Sequence, residues 1–253
     1  MPSTVAGADG IGIRRLIVKH EGGISTRTHA RVWHMSPSSS HAEQGPIRAV
    51  LWDFGGVILT SPFEAFARYE DENGLPPGLI RRINSTNPDT NAWAHFERSD
   101  VPFDEFCDRF EAEARDTGHT VEARAIMALL NGEVRPQMVT ALHRIKDEGL
   151  LLGLLTNNVT SDEGRVGTNG RQEVLALFDA IVESSVVGVR KPEPRFYELA
   201  CAQLSIDPTE AVFLDDLGIN LKPASAMGMR TIKVVDPDVA LKELETMLGL
   251  TLT

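Results

Sequence analysis

The sequence predicts an α/β protein, a doubly wound parallel sheet with an inserted all-helical domain. Three observations predict it. Five short apolar runs alternate with segments of helical pattern, polar clusters follow several of those runs directly, and residues 62–135 break the alternation with helical patterns alone. Strands that alternate with helices build a parallel sheet whose ligands bind at its carboxyl edge.

The elements follow in order. Residues 1–45 carry five Lys/Arg (Arg14, Arg15, Lys19, Arg27, Arg31) against three acids (Asp9, Glu21, Glu43), with Ser-Ser-Ser at 38–40. They read as a disordered leader or as a start placed upstream of Met35, since the acids and the Gly pairs weaken a transit-peptide reading. The first strand is Ala49-Val50-Leu51-Trp52, ending at Asp53. Ser61-Pro62-Phe63-Glu64 then has the spacing of a capping box with proline at the first helical position, so a helical cap domain is predicted over 62–135. It is placed to cover the site as a lid. Pro136 opens a helix with Met138, Leu142 and Ile145 on one face and Gly149 past its end, and Phe196, Leu199 and Ala200 mark another after Pro194. The remaining strands are predicted at 150–155, 180–182, 211–214 and 231–235. The core domain is therefore read as residues 46–61 and 136–253.

Composition narrows the function. A formal net charge of −11 argues against nucleic acid as the main partner, because phosphate backbones demand a basic face. No apolar run approaches the roughly 20 residues of a membrane span. The two cysteines, Cys107 and Cys201, lie far apart, which favours a reducing, cytoplasmic setting over a disulfide framework. The partner expected is a small phosphorylated molecule.

Four clusters carry the chemistry: Asp53-Phe54-Gly55-Gly56-Val57, Leu155-Thr156-Asn157, Arg190-Lys191-Pro192 and Leu214-Asp215-Asp216. A carboxylate at a strand end, Asp53, can attack phosphorus and split hydrolysis into two easier steps, with Gly55 and Gly56 letting backbone approach the reacting group. The plain alternative is an Asp capping a turn. The Thr156 hydroxyl and the Asn157 backbone N–H suit the non-transferring phosphoryl oxygens, although a Thr-Asn turn reads equally as a helix entry. Lys191 offers a compact positive charge to the transferring group and to Asp53, against the alternative of a solvated turn; Arg190 is expected to point elsewhere. Adjacent acids after an apolar strand, Asp215 and Asp216, are costly to bury unless a cation neutralises them. Mg²⁺ held by Asp53, the Gly55 carbonyl and one acid of the pair fits. Asn220 orients Lys191 or an acid, or caps a helix.

Taken together these clusters resemble a haloacid dehalogenase superfamily hydrolase, with a helical cap inserted between its first two motifs. The wording of 53–57, Glu183–Pro192 and Leu214–Ala224 is similar to the branch that includes the amino-terminal domains of soluble epoxide hydrolase and acyl-CoA dehydrogenase family member 10. The resemblance implies a Rossmann-like core, Asp216 as the metal's direct ligand and Asp215 as its outer partner. It also exposes a departure at Gly55, where phosphatases of the superfamily carry a second Asp that protonates the leaving oxygen. The expected activity is a Mg²⁺-dependent phosphatase working through an aspartyl-phosphate. The alternatives are a catalytically weak phosphate-binding or regulatory module and a metal-independent 2-haloacid dehalogenase. Phe63, Phe66, Trp93 and Phe96, with Asn84, Asn87, Asn91 and His95, either line a substrate pocket or form the cap's own core, and His95 is the nearest candidate for the missing acid.

Overall fold

Five parallel strands form the sheet in a computed structural model of the protein, which describes residues 45–130, 132–159 and 170–253. They are β1 (Ala49–Trp52), β2 (Leu151–Thr156), β3 (Ala180–Glu183), β4 (Ala211–Asp215) and β5 (Arg230–Lys233), in the order β3-β2-β1-β4-β5. The chain winds from β1 outward through β2 to β3, then crosses back to place β4 on the other side of β1. That reversal is a topological switch point, and the crevice it opens lies at the carboxyl ends of β1 and β4. In register, Trp52 stands beside Leu214 and Leu154, so the residues that follow these strands emerge together.

The central strands β1 and β4 are buried at every residue, which is why their sequences run apolar up to the acid that ends or follows each. Val50, Trp52, Val212 and Leu214 pack against Met138, Leu142 and Ile145 of the helix Pro136–Asp147 and against Leu241 and Leu244 of Pro237–Leu248. The alternate residues Ala49, Leu51 and Phe213 face Phe196, Tyr197 and Leu204 of Pro194–Leu204 and Leu221 of Gly218–Ala226. Short helices Arg171–Leu175 and Ser184–Val187 flank β3. The leader reading of residues 1–45 falls almost wholly outside the described residues.

Helices Phe63–Glu72, Leu79–Ser85, Ala92–Glu97, Phe103–Asp116 and Ala123–Ala128 fill the stretch between β1 and Pro136, with no strand among its described residues. They enclose their own core, in which Phe96 stacks on Phe106 at 4.5 Å between ring centroids and Trp93 meets Phe106 edge-on at 5.4 Å. The two passages joining this unit to the sheet run side by side: Leu59 bridges Val134, Thr60 N donates to Glu133 O (2.8 Å) and Arg135 N to Ile58 O (2.9 Å). The capping box expected at Ser61–Glu64 does not form. Pro62 takes helical angles with no side-chain cap, and the Ser61 hydroxyl accepts only a long 3.4 Å bond from Phe63 N.

Gly153 in the middle of β2 sets how closely the helix Pro194–Leu204 lies on the sheet. A Cβ there would stand 2.6 Å from Leu51 Cδ2 and 3.1 Å from Leu204 Cδ1. Gly153→Ala is therefore expected to destabilise the protein by about 1–3 kcal/mol through overpacking. Urea unfolding checks this: the midpoint should fall with the m-value unchanged.

Candidate active site

Asp53 leaves β1 in extended conformation, and its backbone N donates to Leu214 O at 2.9 Å, binding the ends of β1 and β4 together. Its Oδ1 accepts from Phe54 N at 2.6 Å and from the Lys191 ammonium at 2.8 Å. Both donors use the same oxygen. The turn that follows treats its two glycines differently. Gly56 has φ +80°, and a Cβ on it would lie 2.4 Å from Asp216 Oδ2, so glycine is required for Asp216 to rest there. Gly55 has φ −71° and ψ 129°, angles open to any residue, with nothing within 4 Å of a Cβ. The departure at Gly55 is thus one of chemistry, and space for a side chain remains.

Lys191 is buried with its Nζ 2.8 Å from Asp53 Oδ1 and 2.8 Å from Asp215 Oδ2. Asp215 ends β4 fully buried and is held on every side: Asn220 Nδ2 donates to both its oxygens at 3.0 Å, and Leu217 N to Oδ1 at 2.8 Å. Tyr197 OH in turn donates to Asn220 O at 2.6 Å. Asn220 thus orients an acid, while Leu217 stands at the start of the helix Gly218–Ala226. Asn157 follows β2, and its side chain clamps the main chain of Lys191, with Oδ1 accepting from Lys191 N (2.8 Å) and Nδ2 donating to Lys191 O (3.0 Å). Nothing in the sequence assigned that work to the Asn157 amide. Thr156 ends β2.

Asp53, Asp215 and Asp216 offer oxygens that all lie within 4.8 Å of one another. Among the described residues one ammonium is bonded to them, so full ionisation leaves excess negative charge in a sparsely solvated place. Burial, reinforced by Asp215, pushes Asp216 from 3.8 up to about 6, with Lys191 opposing. Burial likewise raises Asp53, against the pull of Lys191. For Lys191 burial favours loss of the proton, yet Asp215 and Asp53 outweigh it and its pKa rises. A compact divalent cation with oxygen ligands suits this donor set, and Mg²⁺ takes one or two carboxylates and keeps its remaining positions for water and phosphate.

The cap's aromatic residues pack in or against the cap's own core. Phe66 and Phe96 are buried in the cap core and Trp93 packs on Phe106 and Phe110, while Asn91 caps its own helix through Ala94 N. His95 pairs with Asp100 at 3.0 Å. Among the cap side chains that reach the core is Glu97, whose Oε2 lies 2.5 Å from Arg190 Nε and 3.3 Å from Asn157 Nδ2. Its only local mark was a position one helical turn after Trp93, whose Nε1 donates to its Oε1 at 3.1 Å.

Residues 47–228 match the family model for haloacid dehalogenase-like hydrolases. The chain belongs to that family of hydrolases. Among similar proteins are acyl-CoA dehydrogenase family member 10 of Mus musculus, 34% identical over 91% of this chain and 21% of that protein, and bifunctional epoxide hydrolase 2 of Sus scrofa, 32% identical over 81% and 40%. The chain spans less than half the length of either. A sesquiterpene phosphatase of Aspergillus oryzae is 27% identical over 80% of this chain and 97% of its own. Two solved structures share the fold. One, a dehalogenase, has a TM-score of 0.58 at 20% identity, covering 81% of this chain and 98% of its own. The other, a Bacteroides thetaiotaomicron family enzyme in complex with magnesium and inorganic phosphate, has 0.51 at 23%, covering 74% and 93%.

The raised Asp216 has a consequence for metal binding in this haloacid dehalogenase-like site. As pH falls through about 6 the metal-free folded protein takes up a proton that the unfolded chain, with its value of 3.8, does not yet hold. Metal-free stability therefore gains from Asp216 as pH falls, whereas a Mg²⁺ ion held by Asp216 would compete with that proton. Magnesium is expected to raise the melting temperature more at about pH 7.5 than at about pH 5. Thermal scans at both pH values with and without Mg²⁺ check this, and an equal shift at both removes Asp216 from the metal's ligands.

Proposed function

We propose that the protein is a Mg²⁺-dependent phosphatase of small phosphorylated molecules that works through a phosphoryl group carried on Asp53. The observation behind this reading is the grouping of three carboxylates around one buried lysine at the sheet's switch point. Asp53, Asp216 and the Gly55 carbonyl are the residues that hold the metal, with Asp215 supporting them; when bound, the ion neutralises their charge and that of the phosphate. Lys191 and Phe54 N both engage Asp53 Oδ1, so Oδ2 is the oxygen free for attack. In the first step Oδ2 bonds to phosphorus as the ester oxygen departs. In the second, water attacks phosphorus, the Asp53–phosphorus bond breaks, and inorganic phosphate leaves. The Thr156 hydroxyl and Asn157 N–H hold the non-transferring oxygens. The names of the sesquiterpene phosphatase and of the phosphate-bound structure support the same class.

Gly55 favours a second reading, a phosphate-binding module with weak turnover, because glycine neither protonates the leaving oxygen nor activates water. Dehalogenation needs the aspartate but no metal, so a buried carboxylate cluster that calls for a cation disfavours it. A panel of aryl, acyl and alkyl phosphates and a 2-haloacid, each with Mg²⁺ and with chelator, separates the three. Phosphate turnover lost on chelation supports the phosphatase, whereas haloacid turnover in chelator selects the dehalogenase.

Asp53→Asn is expected to abolish turnover while leaving the melting temperature within a few degrees of wild type, because an amide is nearly isosteric but a poor nucleophile. Wild-type rates in the purified variant would show that Asp53 is not the nucleophile. Without an acid at Gly55, aryl and acyl phosphates should turn over much faster than alkyl esters. Gly55→Asp, whose Cβ would meet nothing within 4 Å, is expected to raise alkyl-phosphate turnover selectively, by at most about 10²–10⁴-fold. Equal wild-type rates on aryl and alkyl esters would mean that another group already supplies the proton.

A further inference from the structure

Glu97 is a buried carboxylate that the chemistry above does not use. Burial raises its pKa, with Arg190 opposing; Trp93 Nε1 and Asn157 Nδ2 donate to it at 3.1 and 3.3 Å, and Arg190 Nε stands 2.5 Å away as its ion-pair partner. With Trp93 and Asn157 donating to its two oxygens, the Glu97 carboxyl serves here as an acceptor.

Its partners give it another use. Arg190 immediately precedes Lys191, and Asn157 grips the Lys191 main chain at both N and O. Glu97 therefore holds the lysine's neighbour directly and the lysine's own peptide through one intermediate. Flanking contacts repeat the pattern: Arg190 Nη1 donates to Pro88 O at 2.7 Å, Arg98 Nη1 to Glu193 Oε1 at 3.4 Å and Ser99 Oγ to Ser185 O at 3.1 Å. The cap segment 88–99 thus grips the core loop 184–193 that carries Lys191.

We infer that Glu97 is a positioning residue: docked on Arg190 and Asn157, it lets the closed cap fix Lys191 between Asp53 and Asp215. Asp53 is only 8% exposed, and movement of the cap is the proposed route by which substrate reaches it. That movement separates Glu97 from its core partners and loosens the lysine loop, and closure restores both. Closing the cap and setting the nucleophile's partner are then one event. This rests on the reading of Lys191 as the partner of a nucleophilic Asp53.

The test uses Glu97→Gln, Arg190→Met and their combination, assayed with p-nitrophenyl phosphate and Mg²⁺. Each single variant is expected to lose about tenfold or more in kcat with KM within about threefold. The double should lose no more than either single, because both act through one contact. Hydrogen exchange supplies a readout independent of turnover: peptides spanning 188–193 should exchange about tenfold faster or more in Glu97→Gln, with the cap helix Phe103–Asp116 unchanged. Unchanged exchange at 188–193, or wild-type kcat in both single variants, overturns the inference. If wild-type protein turns over no phosphate ester while the variant's loop does exchange faster, the proposed activity fails and the positioning role stands.

Discussion

One buried ammonium organises this protein. Lys191 Nζ bonds to Asp53 and Asp215 at 2.8 Å each, and no other cationic side chain is bonded to either acid among the described residues. Burial alone would strip its proton, and the two carboxylates outweigh burial. The arrangement is costly to half-dismantle, since removing one partner of a buried ion pair leaves an uncompensated charge worth about 3–5 kcal/mol. It also dictates connectivity. The acids leave neighbouring strands β1 and β4, whereas the lysine comes from a loop beyond β3, and Asn157 at the end of β2 holds that loop in place.

The rest of the site follows from how that cluster meets solvent and the cap. Asp215 is fully buried and saturated with donors, while Asp216 rests on the bare backbone of Gly56 and is pushed up to about 6. The pair therefore divides into an acid that holds the lysine and an acid that forms no ion pair among the described residues. Gly56 permits the second, because any side chain would occupy its place. Gly55 carries no such constraint, so its lack of a carboxyl is a chemical choice in a position that would accept one. Across the crevice the cap presents Glu97 to the core, and its aromatic residues turn inward to each other.

The sheet was legible because most of its strands are apolar runs with a sharp end, and all five end within two residues of their predicted limits. Asp53, Lys191, Asp215 and Asp216 were legible as clusters, and the fold brings these four together. The capping box at Ser61–Glu64 matched in spacing only, since Pro62 adopts helical angles and leaves Ser61 outside the cap position. The amide clamp of Asn157 and the reach of Glu97 left no local trace. Both act on residues 34 and 93 positions away, at Lys191 and Arg190, and only the folded crevice puts them in contact. The tolerance of Gly55 was equally hidden, because two adjacent glycines look alike in sequence and differ only in their backbone angles.

A covalent phosphoryl group on Asp53 is what the proposed function requires most directly. Acid-quenched single turnover of an aryl phosphate, followed by mass analysis of the peptide containing Asp53, measures it. The expected result is a transient acyl-phosphate on Asp53 that forms with Mg²⁺ and is absent when the metal is chelated. Hydrolysis of the same substrate with no phosphoryl group on Asp53 at any time point would contradict it.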